Sequence, residues 1–278
     1  MSELMVEKTP TIQSHRAAQE LFDRTVEDYE TRATGRVFRL SSMMFVRRME
    51  TVLRMLDETG ASGTVLDCGM GPGLYARAVV ERGFHFLGID LSEAMVTRAK
   101  TLGIPNTTYV QGDIEDLGKF RESADVVLAI GLIDYLEYPE AGIQKLAECL
   151  KPGGYLIVAF RNKRALVTVL RDLARAAWRL LFKGSKFRRD SAFVSKVHEN
   201  AFSFRTDLAP MLKRLGMQGA TVRYFRFSLA FADFPIPRPI WTVSVWLDRY
   251  LAGRWTRWSC SGGIVRARKP PMGDHRPA

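Results

Sequence analysis

The sequence has few cysteines, only four histidines and no long apolar run. Its three cysteines are odd in number and form no CxxC pair, which argues against a disulfide framework or a zinc site and favours a reducing compartment. No stretch approaches the roughly 18 apolar residues of a membrane span, and the first ten residues, MSELMVEKTP, lack the apolar core of a signal peptide. We therefore expect a soluble, cytoplasmic protein that binds no metal.

Basic residues are concentrated in the second half of the chain. Residues 1–150 carry 16 basic and 23 acidic side chains, a net charge of −7, whereas residues 151–278 carry 25 basic and 7 acidic ones, a net charge of +18. All five tryptophans lie in the same second half: Trp178, Trp241, Trp246, Trp255 and Trp258. This distribution predicts that the second half meets an anionic partner or surface.

From residue 64 onward, short apolar runs alternate with helix-like segments. The runs are TVLDC, HFLGID, TTYVQGD, ADVVLAIG and GYLIVAF, and this alternation predicts a parallel sheet covered by helices. Two helices are expected before it, over residues 14–31 and 37–56, and another begins after GYLIVAF. A later helix is predicted within FSFRTDLAPMLKRLGMQ, with Thr206 as its cap and Gly216 as its stop.

The stretch VLDCGMGPGLYA, residues 65–76, predicts a strand, a glycine turn and a helix start, which together present backbone N–H groups to a ligand. Its glycines stand at alternate positions: Gly69, Gly71 and Gly73. Leu74 occupies the place of the third glycine of a dinucleotide-binding GxGxxG turn, which argues against a dinucleotide. Asp67 at the strand end would repel a pyrophosphate and attract a cationic amine.

Two further acids follow the next two strands. Asp90 ends HFLGID, where a carboxylate can accept both hydroxyls of a ribose, and Ser92 is available to cap the helix that follows. Asp113 follows the third strand. Because ligands of open α/β sheets bind outside the carboxyl ends of the strands, three acids at three such ends predict a binding site there.

The segment VLDCGMGPG resembles the first motif, (V/L)LDxGxGxG, of class I S-adenosylmethionine-dependent methyltransferases, and the similarity covers about residues 64–160. The resemblance implies a doubly wound, seven-stranded Rossmann-like α/β sheet with N-terminal helices and a helical cap, closed by GATVRYFRF and GIVRARK with the last strand antiparallel. S-adenosyl-L-methionine is the cofactor that it implies. The glycine turn would lie beside the methionyl part, and Asp67 would face its amino group.

The same resemblance implies the rest of the cofactor site. Asp90 would hold the ribose, with Leu91 and Met95 close to the ribose and adenine. Asp113 and the backbone N–H of Ile114 would contact the adenine. The segment FDRTVEDYE resembles the leading FDxxAxxY helix of ubiquinone- and menaquinone-type methyltransferases, which would set Tyr29 over the cofactor.

The segment AIGLIDYLEYPE after the fourth strand should line the methyl-transfer site. It lacks the Asn/Asp-Pro-Pro-Tyr signature of methyltransferases that act on amides and exocyclic amines, which favours a hydrophobic small-molecule or lipid-like acceptor methylated at oxygen or carbon. Methyl transfer can be helped by one nearby base, and the candidates are His198, Asp134 and Tyr135.

Two other functions remain open. Basic residues interleaved with aromatics, as in VRYFRF and GRWTRW, are compatible with an RNA methyltransferase, although no nucleic-acid recognition module is attached. A catalytically silent S-adenosylmethionine-binding protein would keep the same cofactor motifs.

The predicted domain organisation is a helical lid over residues 1–60, a methyltransferase domain over 61–270 and a disordered tail over 271–278. Two insertions interrupt the domain, at 161–200 and 228–258. Residues 164–181 of the first insertion have arginines on one helical face and leucines opposite. Such a helix either caps the acceptor site or lies on an anionic membrane surface as a peripheral contact.

Overall fold

The computed structural model describes residues 40–165, 200–227, 237–251 and 260–272, together with Gln19 and Asp23. Seven strands form one sheet in the order β3-β2-β1-β4-β5-β7-β6. The strands are β1 Thr64–Cys68, β2 His85–Asp90, β3 Thr107–Gln111, β4 Ala124–Ile130, β5 Leu150–Arg161, β6 Gln218–Phe227 and β7 Cys260–Arg268. Strands β1 to β5 are parallel, and β7 runs antiparallel to β5 and β6. The predicted α/β sheet with an antiparallel last strand is confirmed.

Six α-helices belong to the part of the chain that the structure describes. They are α1 Leu40–Asp57, α2 Ala76–Val80, α3 Glu93–Lys100, α4 Pro139–Glu148, α5 Ala209–Arg214 and α6 Arg238–Leu251. Short 3-10 turns cover Ile114–Phe120 and Ile133–Tyr135. None of the described helices is long and apolar enough to cross a membrane.

Both faces of the sheet are covered, because successive side chains of a strand point to opposite sides. Along β4, Val126 and Leu128 pack into one layer, whereas Val127 and Ala129 pack into the other. The first layer includes three buried side chains of α1: Val52, Met55 and Leu56. The second layer includes two of α4: Ile143 and Leu146. The helix α1, which falls in the predicted lid, therefore packs directly on the sheet.

One predicted helix cap is confirmed and another is wrong. Ser92 caps α3, because its Oγ accepts a hydrogen bond from Met95 N–H at 3.1 Å. Thr206 is not a cap, since helical turns already begin at Phe204 and Ser203 takes the N-cap position. The Asp207 carboxylate accepts from Ser203 N–H at 2.7 Å and from the Thr206 hydroxyl at 2.9 Å.

Two other expectations concern the insertions. No helix is predicted within 228–258, yet α6 lies there. After β5 the chain forms a turn at 163–164, where the predicted helix of residues 164–181 should begin. The rest of that helix, residues 273–278 of the predicted tail 271–278, Tyr29 and His198 lie outside the described residues, as does the predicted helix 14–31 apart from Gln19 and Asp23, which are helical.

A buried ion pair fastens α6 to α1. Arg47 Nε donates to Asp248 Oδ2 at 2.6 Å, and the side chains are 8% and 1% exposed. Arg47 also pairs with Glu50, which receives a hydrogen bond from Arg249 of α6 at 3.2 Å from Nε. Because the two helices are about 200 residues apart in sequence, this cluster fixes a long-range contact.

Replacing Asp248 by alanine should lower the free energy of unfolding by about 3–5 kcal/mol, because the Arg47 guanidinium stays buried and loses the buried carboxylate that its Nε binds. The matched control is Asp57→Ala, which removes an exposed pair with Arg82 and should cost about 0–1 kcal/mol. Urea denaturation of both variants measures the difference. Equal losses would show that the α1–α6 pair is not a buried anchor.

Candidate functional site

A cavity of about 450 Å³ opens at the carboxyl ends of the parallel strands. Nine of the residues predicted from the sequence line it: Gly69, Gly71, Asp90, Leu91, Met95, Asp113, Ile114, Asp134 and Tyr135. The predicted Asp67 and Gly73 lie behind the wall, and Tyr29 and His198 belong to the undescribed segments. The strand ends therefore bring together most of the predicted set.

The glycine turn after β1 is bound to the end of β2. Gly69 N–H and Met70 N–H both donate to the carbonyl of Ile89, at 2.8 and 3.1 Å. The turn needs glycine, since its three glycines all have positive φ: Gly69 (+71°), Gly71 (+57°) and Gly73 (+77°). A side chain on Gly73 would also approach Ala99 of α3 at 3.2 Å, so this glycine serves the packing of turn against helix.

The Asp67 carboxylate is buried without a hydrogen bond. The residue is 1% exposed, and neither carboxylate oxygen has a partner among the residues that the structure describes. Burial raises the pKa of Asp67 well above its usual range, the negative charge of Asp90 raises it further, and the Arg48 guanidinium lowers it. A buried, unsatisfied carboxyl of this kind favours a cationic ligand group beside it.

Asp90 is held in a fixed orientation by the backbone around it. Its Oδ2 accepts from Gly71 N–H at 2.7 Å, and its Oδ1 accepts from Ser92 N–H at 2.9 Å. Burial raises the pKa of Asp90, while these hydrogen bonds lower it. A carboxylate offers about four acceptor positions, so each oxygen keeps one for a ligand hydroxyl.

Among the described residues, Asp23 contacts this loop. The Ser92 hydroxyl hydrogen-bonds to the carboxylate of Asp23, which is exposed and helical. Asp23 lies in the segment FDRTVEDYE, so at least this residue of the predicted leading helix stands next to the end of β2.

Asp113 has a structural role that the sequence did not predict. It caps the 3-10 turn after β3, where its Oδ1 accepts from Glu115 N–H at 3.1 Å. In return, the Asp116 carboxylate accepts from Asp113 N–H at 3.3 Å, which completes a capping box. Asp113 still lines the cavity together with Ile114.

Asp134 and Tyr135 form the 3-10 turn after β4. Asp134 is 6% exposed, and its Oδ1 accepts from Arg161 N–H at 3.1 Å. The Asp134 carbonyl accepts from Asn200 N–H at 2.6 Å, so Asn200 is attached to this turn. The candidate base His198 precedes that point by two residues.

Sequence reasoning missed one wall of the cavity. This wall comes from α1, the end of β5, β6 and β7: Met44, Phe45, Arg48, Phe160, Arg161, Phe225, Ser261 and Gly262. The Arg48 guanidinium lies 5.0 Å from the centroid of the Phe45 ring and is close enough to Asp67 to lower its pKa. The apolar and arginine residues of α1 were visible in the sequence, but no motif tied them to the cavity.

The cavity thus has two chemically different halves. At the glycine turn, the carboxylates and the Arg48 guanidinium suit a ligand that carries one positive group, one negative group and a pair of hydroxyls. Beyond it, aromatic and aliphatic side chains form an apolar wall. Such a cavity can hold a polar cofactor next to a hydrophobic second ligand.

Comparison with known proteins agrees with this geometry. A family model described as a methyltransferase domain matches residues 66–158. A ubiquinone biosynthesis O-methyltransferase of Marinobacter nauticus is 35% identical over 119 residues, which is 40% of this chain and 50% of that protein. The chain spans about half the length of the curated relatives that it matches first.

Two solved structures share the fold over nearly their whole length. Magnesium protoporphyrin IX methyltransferase of Synechocystis, solved with bound S-adenosylhomocysteine, is 20% identical with a TM-score of 0.60, over 91% of this chain and 99% of that one. A methyltransferase of Thermotoga maritima, described as a possible histamine N-methyltransferase, is 18% identical with a TM-score of 0.60, over 90% and 99%. Residues 66–158 thus match a methyltransferase domain, and the chain shares the fold of solved methyltransferases.

Proposed function

We propose that the protein transfers a methyl group from S-adenosylmethionine to a hydrophobic, quinone-like or lipid-like acceptor, at an oxygen or a carbon. The observation that carries this proposal is the apolar half of the cavity, which adjoins the glycine turn. Met44, Phe45, Phe160 and Phe225 form its main walls. A pocket of this composition gains most from burying an apolar ligand.

The polar half fits the cofactor, which when bound supplies a methyl group activated on a sulfonium. We assign Asp67 to the amino group and Arg48 to the carboxylate of its methionyl part, because both side chains are buried and the Arg48 charge is close enough to lower the pKa of Asp67. Asp90 would accept from the ribose hydroxyls with the positions that Gly71 and Ser92 leave open. The adenine would contact Asp113 and Ile114, with Leu91 and Met95 beside it.

The curated relatives support the acceptor class. Ubiquinone biosynthesis O-methyltransferases act in the synthesis of a quinone, and two of them match 40% and 36% of this chain. Because this similarity covers less than half of the chain, the main argument for a hydrophobic acceptor is the apolar wall of the cavity. Because these relatives are O-methyltransferases, we prefer oxygen as the acceptor atom.

An acceptor hydroxyl has to lose its proton when its oxygen is methylated. We propose that the Asp134 carboxylate accepts this proton, because the group is buried in the cavity wall and oriented by Arg161 N–H. Tyr135 in the same turn is the second choice. His198 remains a candidate from the sequence alone. Alignment of the acceptor by the apolar walls would supply the larger part of the rate.

The direct test uses methyl-labelled S-adenosylmethionine. The purified protein is incubated with it and a total lysate of the host organism, and lipid, RNA and protein fractions are separated. We expect label in the organic-soluble fraction, and mass spectrometry of that extract would identify the acceptor. Label in RNA would support the RNA alternative, and no label in any fraction, despite cofactor binding, would support the silent binding protein.

Substitution of Asp67 by asparagine should stabilise the cofactor-free protein and weaken the binding of the cofactor. Removing the buried, unsatisfied carboxylate should raise the free energy of unfolding by about 1–3 kcal/mol near neutral pH. Because burial raises the pKa of Asp67 in the folded state, this gain should grow as the pH rises from the ordinary aspartate pKa towards the raised one. Urea denaturation at acidic and neutral pH measures it, and calorimetry should show S-adenosylmethionine binding weakened about tenfold.

Asp90→Asn is the matched comparison, because both of its oxygens accept backbone hydrogen bonds. An amide offers one acceptor oxygen, so one N–H loses its partner. This variant should therefore lose about 1–3 kcal/mol of stability and also bind the cofactor more weakly. If both variants changed stability in the same direction, the distinction between the two carboxylates would be wrong.

Asp134→Asn should lower kcat about 100-fold, on the scale of a lost general base, with little change in the affinity for S-adenosylmethionine. Asparagine keeps the acceptor for Arg161 N–H, so the turn should persist. Tyr135→Phe serves as the control within the same turn. Loss of activity in Tyr135→Phe alone would move the assignment to the tyrosine.

A further inference from the structure

The helix α6 presents a row of large apolar side chains to solvent. Within the described residues six large hydrophobic side chains are exposed, and five of them lie on α6, between 42% and 60% exposed: Ile240, Val243, Trp246, Leu247 and Tyr250. Their spacing of three and four residues puts them on one side of the helix. We call this row the apolar face of α6.

The orientation of α6 is fixed from its other side. Val245 and Asp248 are buried, and Asp248 forms the ion pair with Arg47 of α1. The helix packs on α1 and on β6. Rotation that buried the apolar face would break this ion pair, so the exposure of the row is a consequence of how the helix is anchored.

Two hydroxyl groups of α6 already have hydrogen-bond partners within the helix. Thr242 Oγ1 donates to the Arg238 carbonyl at 3.0 Å, and Ser244 Oγ donates to the Ile240 carbonyl at 2.8 Å. The Trp246 and Tyr250 rings stack with centroids 6.3 Å apart. Moving this side of the helix out of water would therefore leave these hydroxyls satisfied, which lowers the cost of desolvation.

The sequence around the apolar face has more basic than acidic residues, although Arg249 itself pairs with Glu50 of α1. The only acid of α6 is Asp248, and it is buried in its ion pair. The surrounding sequence 228–258 contains four arginines: Arg238, Arg249, Arg254 and Arg257. Its one other acid is Asp233. An apolar row with tryptophan and tyrosine, flanked by arginines, has the composition of a helix that lies in the interface of a membrane.

We propose that the apolar face of α6 docks on an anionic lipid bilayer, with the helix parallel to the membrane surface. The row would enter the boundary between headgroups and acyl chains, and the arginines would meet lipid phosphates. A second copy of the chain fits this face less well, because a symmetric contact would bring two identical sets of arginines together. The helix has 14 residues, which suits lying on a bilayer and not crossing it.

Docking here would bring the cavity close to lipid. The two elements on which α6 packs, α1 and β6, contribute Phe45 and Phe225 to the apolar wall of the cavity. A hydrophobic acceptor dissolved in the bilayer would then have a short path to the site. Only this last consequence rests on the proposed function, since the docking itself depends on α6 alone.

The test is sedimentation of the full chain with vesicles of phosphatidylcholine, and of phosphatidylcholine with about 30% phosphatidylglycerol as the anionic lipid. The variant W246Q/L247Q/Y250Q removes three of the five side chains of the apolar face while keeping good helix formers. We expect the wild type to bind the anionic vesicles preferentially, and the variant to bind them about tenfold or more weakly. M272Q, which changes an exposed apolar side chain outside α6, is the matched control and should bind like the wild type.

Circular dichroism and S-adenosylmethionine affinity check that each variant is folded, and a second variant, I240Q/V243Q, repeats the test on the other end of the row. Both α6 variants should lose vesicle binding while they keep the cofactor. The proposal is overturned if the wild type does not sediment with anionic vesicles, or if both α6 variants sediment as the wild type does. It is equally overturned if the wild type is a dimer that these variants dissociate and that ignores vesicles.

Discussion

The cavity depends on the hydrogen bond from Gly71 N–H to Asp90 Oδ2, 2.7 Å long. It joins the glycine turn of one βα unit to the strand end of the next, so the ends of β1 and β2 hold a single geometry. The turn can reach Asp90 only with φ of +57° at Gly71, which an L side chain rarely adopts. The orientation of the Asp90 carboxylate and the shape of the glycine turn therefore depend on each other, so a change in one changes the other.

This constraint has an electrostatic cost. With Asp90 fixed near the end of β1, the buried Asp67 feels a second negative charge, and only Arg48 opposes it. Asp90 has backbone donors to stabilise its charge, whereas Asp67 has none among the described residues. Under the proposed function, the amino group of the cofactor would compensate the buried Asp67 carboxylate, which without a partner lowers the stability of the fold.

Local patterns predicted the parts of the fold and site that local sequence determines. The bounds of β1 and β2, the Ser92 cap and the acids at the strand ends follow from periodicity, capping chemistry and strand direction. Contacts between distant segments do not follow from these rules. Nothing in the sequence around Arg47 indicates Asp248 as its partner, and the Thr206 cap was wrong because the helical turns already begin at Phe204, with Ser203 at the N-cap position.

The same division runs through the cavity. Its polar half is made by loops that each follow a strand, within the 66–158 match to the methyltransferase domain. Its apolar half comes from α1, the end of β5, β6 and β7, which are distant in sequence and meet because β7 lies between β5 and β6. Phe225 of β6 packs in the same hydrophobic layer as Met70 of the glycine turn. The shape of the polar half thus depends on contacts between neighbouring βα units, whereas the shape of the apolar half depends on how α1 packs against β6 and α6. Under the proposed function, we expect acceptor selectivity to depend on these long-range contacts, including the Arg47–Asp248 pair that joins α1 to α6.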